Sequence, residues 1–140
     1  MVAVLAAIRG RMKRRGCLKA VLGVAGLSAV RAAEAGRPIQ LHVDLSVDPA
    51  KEREMLDHFH NVFRPAAAKQ PGFMDARMLK LRIIRRGEAP PGANYRFVLS
   101  FASEEQRQVW AATPLHQQVW APIVNTLKNG NYTALLYDLT

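Results

Sequence analysis

Four side chains able to bind a ligand or transfer a proton lie within fifteen residues: Gln106, Trp110, His116 and Trp120. The imidazole changes charge near neutral pH, so His116 can act as a base or as a hydrogen-bond donor. The two indoles can form apolar walls, and Gln106, one helical turn before Trp110, can add a neutral donor. The alternative is structural, with both tryptophans in the core and His116 solvated in the first turn of a helix.

The other histidines predict no metal site. His42 and Asp44 point to the same side of a predicted strand, where they either begin a metal site or hydrogen-bond across a dimer interface. The second role is favoured, because no third ligand is evident. His58 and His60 are two apart on a predicted helix, about 200° around its axis, so they cannot bind one ion together and are predicted at the surface.

The sequence lacks the motifs of several common kinds of active site. The sequence has no phosphate-binding loop, no Gly-x-Ser-x-Gly elbow, no dinucleotide fingerprint and no zinc-binding helix pattern. Its single cysteine, Cys17, lies in a segment that we expect to be removed. The mature chain then has no disulfide, no thiolate metal ligand and no cysteine nucleophile.

The N-terminal region predicts an export leader. Two adjacent arginines in Lys13–Lys19 (KRRGCLK) match a twin-arginine signal, and the apolar run Ala20–Val30 that follows is too short to cross a bilayer. Ala33-Glu34-Ala35 offers a cleavage site, and Met12 is the predicted initiator. The expected location is therefore periplasmic or secreted, without a stable membrane anchor after cleavage. An ordinary secretory leader or a basic amphipathic anchor remains the alternative.

Removal of residues 1–35 changes the charge balance. That segment holds seven of the twenty Lys and Arg residues but one of the eleven acidic ones, which leaves thirteen basic and ten acidic residues. These charges are interspersed, so nucleic-acid binding is not expected. Residues 36–140 predict one small domain, whose core would gain from being shared across a dimer.

Hydrophobic periodicity and turn residues predict a β-α-β-β-α-β order. The first half reads as a strand at Ile39–Val47, a helix from Asp48-Pro49 to Gln70 that Pro65 should kink or shorten, and a strand at Phe73–Arg85. The second half begins with a loop at Arg86–Asn94 and a strand at Tyr95–Phe101. A helix capped by Ser103 follows, and then a helix that opens at Thr113-Pro114 and whose apolar positions reach Leu127. A turn at Asn129-Gly130-Asn131 leads to the last strand, Tyr132–Leu139.

Two similar halves of this kind form the ferredoxin-like fold of the α+β class. Four antiparallel strands carry both sets of helices on one face of the sheet. The other face is left uncovered, and a second subunit is its natural cover. The sequence therefore predicts a homodimer in which two sheets face each other as a dimeric α/β barrel.

Two segments, KQPGFMDARMLKL and FVLSFASEEQRQVWAATPLHQQVW, resemble the antibiotic biosynthesis monooxygenase family of dimeric α/β barrels. A PGF-like turn precedes the second strand there, and a helix carries a pocket tryptophan. The resemblance covers residues 39–140. It implies a pocket between sheet and helices in each subunit, where oxygen meets an electron-rich aromatic compound such as a quinol without flavin or metal.

The resemblance also implies roles for named residues. Trp110 matches the pocket tryptophan, and His116 falls where some members hold a phenolic oxygen, so these two are the predicted catalytic residues. Trp120 and Gln106 are the predicted substrate-binding residues. Trp120 stands where the haem-degrading branch has its ligand histidine, which argues against haem cleavage. A dimer that binds haem or a quinone without reacting, and a purely structural dimerisation module, remain the alternatives.

Overall fold

The structure is a computed structural model that describes residues 36–140. The alternating segment Ile39–Val47 forms β1, a central strand of the sheet. β1 pairs with β3 (Tyr95–Phe101) on one side and with β4 (Leu127–Asp138) on the other, both antiparallel. β2 (Phe73–Lys80) pairs with the outer side of β3, which gives the strand order β2-β3-β1-β4. The predicted ferredoxin-like fold is confirmed. The leader and its start at Met12 lie outside the described residues.

The chain between β1 and β2 is helical over residues 49–68 but changes geometry along the way. A 3₁₀ turn opened by Asp48 is followed by α1 (Glu52–His58), a π-helical turn at Phe59–Phe63 and α2 (Arg64–Ala68). A proline clashes with the carbonyl four residues before it and cannot donate to that carbonyl, and the wider π turn makes room for Pro65. The helix therefore passes Pro65 and ends close to the predicted boundary.

Two short helices follow β3, and each begins where a side chain caps it. The hydroxyl of Ser103 accepts the backbone N–H of Gln106 at 3.2 Å and opens α3 (Glu104–Ala111). The hydroxyl of Thr113 accepts the backbone N–H of His116 at 3.1 Å and opens α4 (Pro114–Val124). Both starts agree with the sequence prediction.

Leu127 was predicted on the last helix, and this is wrong. The helix ends at Val124, and the backbone carbonyl of Thr126 accepts the N–H of Asp48 at 2.8 Å. That bond returns the chain to the end of β1, so Leu127 begins β4 opposite Val47. Leu45 pairs with Tyr132, so a step of two residues along β1 corresponds to a step of five residues along β4. The extra residues form a bulge inside the strand, and the predicted turn at Asn129-Gly130-Asn131 is part of this bulge.

β2 is shorter than predicted. It ends at Lys80 rather than Arg85, because β3 begins at Tyr95 and residues beyond Lys80 have no strand beside them. One further backbone bond joins the N–H of Leu81 to the carbonyl of Asn94 at 2.9 Å. The side chain of Asn94 then binds both backbone groups of Val47, at 2.8 Å each, and fixes the loop to β1.

The helices pack on one side of the sheet and form the core with it. The largest fully buried side chains there include Phe59, Phe63, Phe101 and Trp110. The other side of the sheet, which we call the open face, is uncovered in the chain, as predicted. Its side chains include Gln40, His42 and Asp44 of β1, Arg96 and Val98 of β3, and Leu135 and Tyr137 of β4. Within residues 36–140 no helix is both long and apolar enough to cross a membrane.

Candidate functional site

A cavity of about 250 Å³ lies between the sheet and the helices of the second half. Its sheet side is lined by Leu41, Val43, Phe97, Leu99, Tyr132 and Ala134. Its helix side is lined by Arg107, Trp110, Ala111, His116 and Trp120. The structure therefore brings three of the four predicted site residues, Trp110, His116 and Trp120, into one mostly apolar cavity, at the place that the resemblance implies.

Aromatic rings surround the imidazole of His116. Its centroid lies 5.2 Å from that of Trp110, with the two planes at 88°, and 6.4 Å from that of Trp120, with the planes at 22°. Phe63 contacts all three of these rings, at centroid distances of 5.8 to 6.3 Å. Packing therefore fixes the imidazole between two indoles.

The electrostatics of the cavity keep His116 neutral. Burial lowers the pKa of its imidazole, and the positive charge of Arg107 lowers this pKa further. Arg107 forms an ion pair with Glu104, one turn earlier on α3, and also lines the cavity. A neutral imidazole can accept a proton, and the nearby guanidinium favours a negative charge on a bound molecule.

Trp110 carries a polar atom without a protein partner. Its side chain is 1% exposed, and its Nε1–H makes no hydrogen bond within the described residues. A buried donor left unsatisfied destabilises the folded state by about 1–3 kcal/mol. Trp110 lines the cavity, so a ligand oxygen that reached Nε1 from there would satisfy this donor.

Trp120 closes the cavity toward the edge strand. Its ring packs on Phe97 with centroids 5.6 Å apart, and its Nε1–H donates to the hydroxyl of Tyr132 at 3.4 Å. Tyr132 and Arg107 were not among the predicted site residues. Arg107 lies three residues before Trp110, so helical spacing could have placed it on the same face. Tyr132 could not be found in this way, because its position depends on the bulge in β4.

Gln106 does not share this cavity, and the expectation that it donates into the pocket of His116 is wrong. The side chain lies on the other side of Trp110, in a second cleft of about 250 Å³ with Gln70, Pro71 and Val109. Its Oε1 accepts a hydrogen bond from the hydroxyl of Ser103 at 3.2 Å. One helical turn separates Gln106 from Trp110, but the bulky indole lies between the amide and His116.

A larger hollow of about 350 Å³ lies over the open face, next to residues 88–93. It contains no histidine or tryptophan. The smaller cavity, which is lined by a histidine and two tryptophans, is therefore the candidate site.

The remaining histidines serve structural contacts. Nε2 of His42 lies 2.7 Å from the Oε1 of Gln40, while Asp44 accepts two hydrogen bonds from Arg96, at 2.8 and 3.2 Å. His58 was predicted at the surface but is partly buried, with Nε2 2.7 Å from the carbonyl oxygen of Val119. Within residues 36–140 no three histidine, cysteine or acidic side chains are grouped as metal ligands.

No family model matches the sequence, and no curated protein matches it. Solved structures do match in fold. A Caulobacter crescentus protein described as a candidate antibiotic biosynthesis monooxygenase superposes with a TM-score of 0.59 and 19% identity, over 80% of this chain and 98% of that chain. SnoaB from Streptomyces nogalater, a cofactor-independent oxygenase, superposes with a TM-score of 0.56 and 15% identity, over 72% of this chain and 91% of that chain.

A third match is a dimeric ferredoxin-like protein from Jannaschia sp. CCS1. Its TM-score is 0.57 at 18% identity, over 74% of this chain and 98% of that chain. Three proteins with different descriptions thus have the same fold over most of the domain, although their sequences are 19% identical to this chain or less. The resemblance to the antibiotic biosynthesis monooxygenases holds at the level of the fold.

Proposed function

We propose that this chain, which has the fold of the antibiotic biosynthesis monooxygenases, is a cofactor-independent oxygenase of quinols or other electron-rich aromatic compounds. One observation carries the proposal. The imidazole of His116 lies between two indoles in a cavity that Arg107 also lines, and the buried Nε1–H of one of these indoles, Trp110, has no protein partner.

The cavity suits a flat apolar molecule of one or two rings. Pockets for drug-sized ligands occupy about 300–1,000 Å³, and this cavity is slightly smaller. The Trp110 and Trp120 indoles offer ring faces and edges for stacking, and the sheet supplies aliphatic side chains. A phenolic hydroxyl on the ligand is the group that would use the polar atoms.

His116 then removes the phenolic proton. The neutral imidazole accepts it, while the Nε1–H of Trp110 and the charge of Arg107 stabilise the phenolate. Stabilisation of this anion matters because an electron-rich phenolate transfers an electron to oxygen more readily than the neutral phenol. The aromatic walls shield the bound ring from water on the sides that they cover.

The oxygen step balances without a further reductant when the ring carbon para to the hydroxyl bears hydrogen. For 1-naphthol, the naphtholate gives one electron to dioxygen, and superoxide recombines with the radical at C4 to form a C4–O bond. The imidazolium returns its proton to the peroxide. Cleavage of the O–O and C4–H bonds releases water and leaves 1,4-naphthoquinone, so the substrate supplies all four electrons.

The test is turnover of 1-naphthol under ¹⁸O₂. One labelled oxygen is expected in 1,4-naphthoquinone and the other in water. Replacement of the base in His116→Ala should reduce the rate by about 10²–10⁴-fold. His60→Ala is the matched control, because His60 is exposed and does not line the cavity. Equal rates in wild type and His116→Ala would refute the proposal, and binding without turnover would indicate the non-catalytic quinone- or haem-binding role instead.

We also propose that the protein is a homodimer that covers its open face with a second copy. Apolar Val98, Leu135 and Tyr137 lie on that face, while Asp44 and Arg96 neutralise each other there. The dimeric Jannaschia protein of the same fold supports this arrangement. Sedimentation velocity of the full chain should give twice the 15.6 kDa chain mass, less any leader removed, and a monomer would contradict it.

We propose export by the twin-arginine route, because the sequence has the arginine pair Arg14 and Arg15 followed by a cleavage site at Ala33-Glu34-Ala35. Protein recovered outside the cytoplasm should begin at Gly36, and Arg14→Lys with Arg15→Lys should retain it inside. N-terminal sequencing measures the cleavage directly. A chain that keeps residues 13–35 after export would contradict the cleaved leader.

A further inference from the structure

The two walls of the cavity that holds His116 differ in polarity. Among the described residues that line it, the sheet wall is apolar apart from the hydroxyl of Tyr132, which accepts the Nε1–H of Trp120 at 3.4 Å. The helix wall carries the imidazole of His116 and one charged side chain, that of Arg107. A molecule in the cavity therefore meets a base and a cation on one side and an apolar surface on the other.

The guanidinium of Arg107 is held at one edge and has unused donors at the other. Both carboxylate oxygens of Glu104 accept a hydrogen bond from its Nε, one of them at 3.1 Å. Its two terminal amino groups make no hydrogen bond within residues 36–140. The side chain is only 21% exposed, so most of it is shielded from solvent. Arg107 can therefore offer two parallel N–H donors to an anion in the cavity that it lines.

We propose that Arg107 binds a carboxylate of the substrate, and that the substrates are hydroxyarenes that carry a carboxylate, such as hydroxynaphthoates. The two amino groups match the two oxygens of a carboxylate, in the bidentate geometry that arginine favours. A phosphate monoester would bring a charge of about −1.5 to −2, whereas Arg107 is the one cation among the described residues that line the cavity. The role of the hydroxyl rests on the proposed function, while the carboxylate contact does not.

Glu104 does not cancel the charge that the ligand meets. It binds the Nε edge, so an anion on the terminal amino groups lies closer to the guanidinium than to this carboxylate. The pKa of His116 supports this order, because Arg107 lowers it and Glu104 is not among the groups that shift it. Glu104 is therefore a positioning residue that fixes the guanidinium before the ligand binds.

The carboxylate and the reacting hydroxyl belong at separate positions on the ligand. Arg107 lies on α3 and His116 on α4, so the cation and the base approach from two helices. A carboxylate next to the hydroxyl would also accept the phenolic proton in an internal hydrogen bond and oppose its removal. 5-Hydroxy-2-naphthoate has its carboxylate on the ring that does not react, and its C8, para to the hydroxyl, bears hydrogen.

Oxidation of this compound balances as it does for 1-naphthol. One oxygen atom of dioxygen enters at C8, and the other leaves as water with the hydroxyl hydrogen and the C8 hydrogen. The product is 1,4-naphthoquinone-6-carboxylate, and the substrate supplies all four electrons. The carboxylate keeps its charge throughout, so its bond to Arg107 is as strong in the bound substrate as in the transition state.

The carboxylate should therefore lower KM without raising kcat. An Arg107 that is paired with a carboxylate assists the phenolate less than a free one does, so kcat for 5-hydroxy-2-naphthoate should not exceed kcat for the uncharged 5-hydroxy-2-naphthamide. On 1-naphthol, which has no carboxylate, the charge of Arg107 stays available to the phenolate. A carboxylate that raised kcat and left KM unchanged would contradict this role.

Calorimetric titration of the full chain with these two naphthalenes tests the contact. They have nearly the same shape but differ in charge, so the carboxylate should bind about 10- to 100-fold more tightly than the carboxamide. Arg107→Gln should abolish this preference. Arg53→Gln is the matched control and should keep it, because Arg53 is 96% exposed on α1 and does not line the cavity. Equal affinities in wild type, or a preference that survives Arg107→Gln, would overturn the proposal.

Oxygen consumption distinguishes a failure of the carboxylate site from a failure of the proposed function. If 5-hydroxy-2-naphthoate binds through Arg107 but is not oxidised, the carboxylate site stands and the oxygenase does not. If 1-naphthol is oxidised but the carboxylate binds no better than the carboxamide, the reverse holds. If wild type binds none of these compounds, both are refuted. Circular dichroism verifies that Arg107→Gln is folded, and the comparison of the two ligands on wild type needs no variant.

Discussion

The imidazole of His116 meets the indole of Trp110 edge to face, with ring centroids 5.2 Å apart. The turn between α3 and α4 sets this contact, since the Thr113 hydroxyl both caps α4 and donates to the carbonyl of Trp110 at 2.8 Å. Within the described residues no carboxylate hydrogen-bonds to the imidazole. The affinity of His116 for a proton therefore depends on its burial and on Arg107.

Replacement of Trp110 by phenylalanine should separate ligand binding from stability. The smaller ring leaves a cavity, but the substitution also removes a buried unsatisfied N–H donor. These effects are each about 1 kcal/mol and opposite in sign, so the free energy of unfolding should change by less than about 1 kcal/mol. The affinity for 1-naphthol should fall about tenfold. Urea unfolding and calorimetry measure the two quantities, and unchanged affinity would mean that Nε1 does not contact the ligand.

The turnover rate should fall on the acid side with a midpoint below the ordinary imidazole pKa of about 6.5. Burial first, and Arg107 second, lower the pKa of His116, so the base stays neutral into mildly acidic solution. Removal of the charge in Arg107→Gln should move the midpoint upward. The pH dependence of 1-naphthol oxidation measures this shift, and a midpoint that stays in place or moves to lower pH would contradict the assignment.

The same pKa shift has a consequence for stability. Because the folded chain binds the His116 proton less readily than the unfolded chain, the free energy of unfolding should decrease as the pH falls below about 6.5. Above that pH both states are neutral at this site and the effect vanishes. His42, whose pKa is also lowered by burial, contributes in the same direction. His116→Gln should therefore flatten only part of the slope, as urea titrations at pH 5 and 7.5 would show.

Most of the fold was predictable because local sequence patterns determine it. The pattern of apolar residues predicted both ends of β1 and of β3 correctly. The capping residues Ser103 and Thr113 predicted where two helices begin. The ends of β2 and β4 were not predictable, since they depend on which residues lie opposite. The chain beyond Lys80 has the composition of a strand but lacks a neighbour to pair with.

The site was predictable in its helical part alone. Spacing along α3 and α4 brings Trp110, His116 and Trp120 together. Spacing failed for Gln106, because residues one turn apart share a side of the helix but an indole can still separate their side chains. It also missed Tyr132, whose place in the cavity comes from a long-range register with Leu45.

Asn94 should contribute strongly to stability for a loop residue. Its amide forms two hydrogen bonds with the backbone of Val47, each 2.8 Å long, where β1 has no strand beside it on that side. Asn94→Ala should lower the free energy of unfolding by about 1–3 kcal/mol, because two partly buried backbone groups lose their partner. Asn61→Ala, at an exposed helical position, should have little effect. Equal urea midpoints for wild type and Asn94→Ala would contradict this account.

Gly72→Ala should destabilise the protein more than Gly87→Ala does. Both glycines have positive φ, 86° and 77°, so an added Cβ is strained at either position. At Gly72 the new Cβ would also lie 2.1 Å from the Oε1 of Gln106, whereas at Gly87 it would meet no atom within 4 Å. The Gln106 side chain must then rotate and lose its bond to Ser103, so the difference should be about 1 kcal/mol.

A double-mutant cycle isolates this contact. Gln106→Ala removes the obstructing amide, so Gly72→Ala made in that background should cost about as much as Gly87→Ala. Urea unfolding of the four proteins gives the coupling free energy, with a sign that shows relief of the clash. If the cost of Gly72→Ala is the same with and without the Gln106 amide, backbone strain alone explains it. The close approach of the β2 turn to α3, which places Gln106 away from His116, would then lack energetic support.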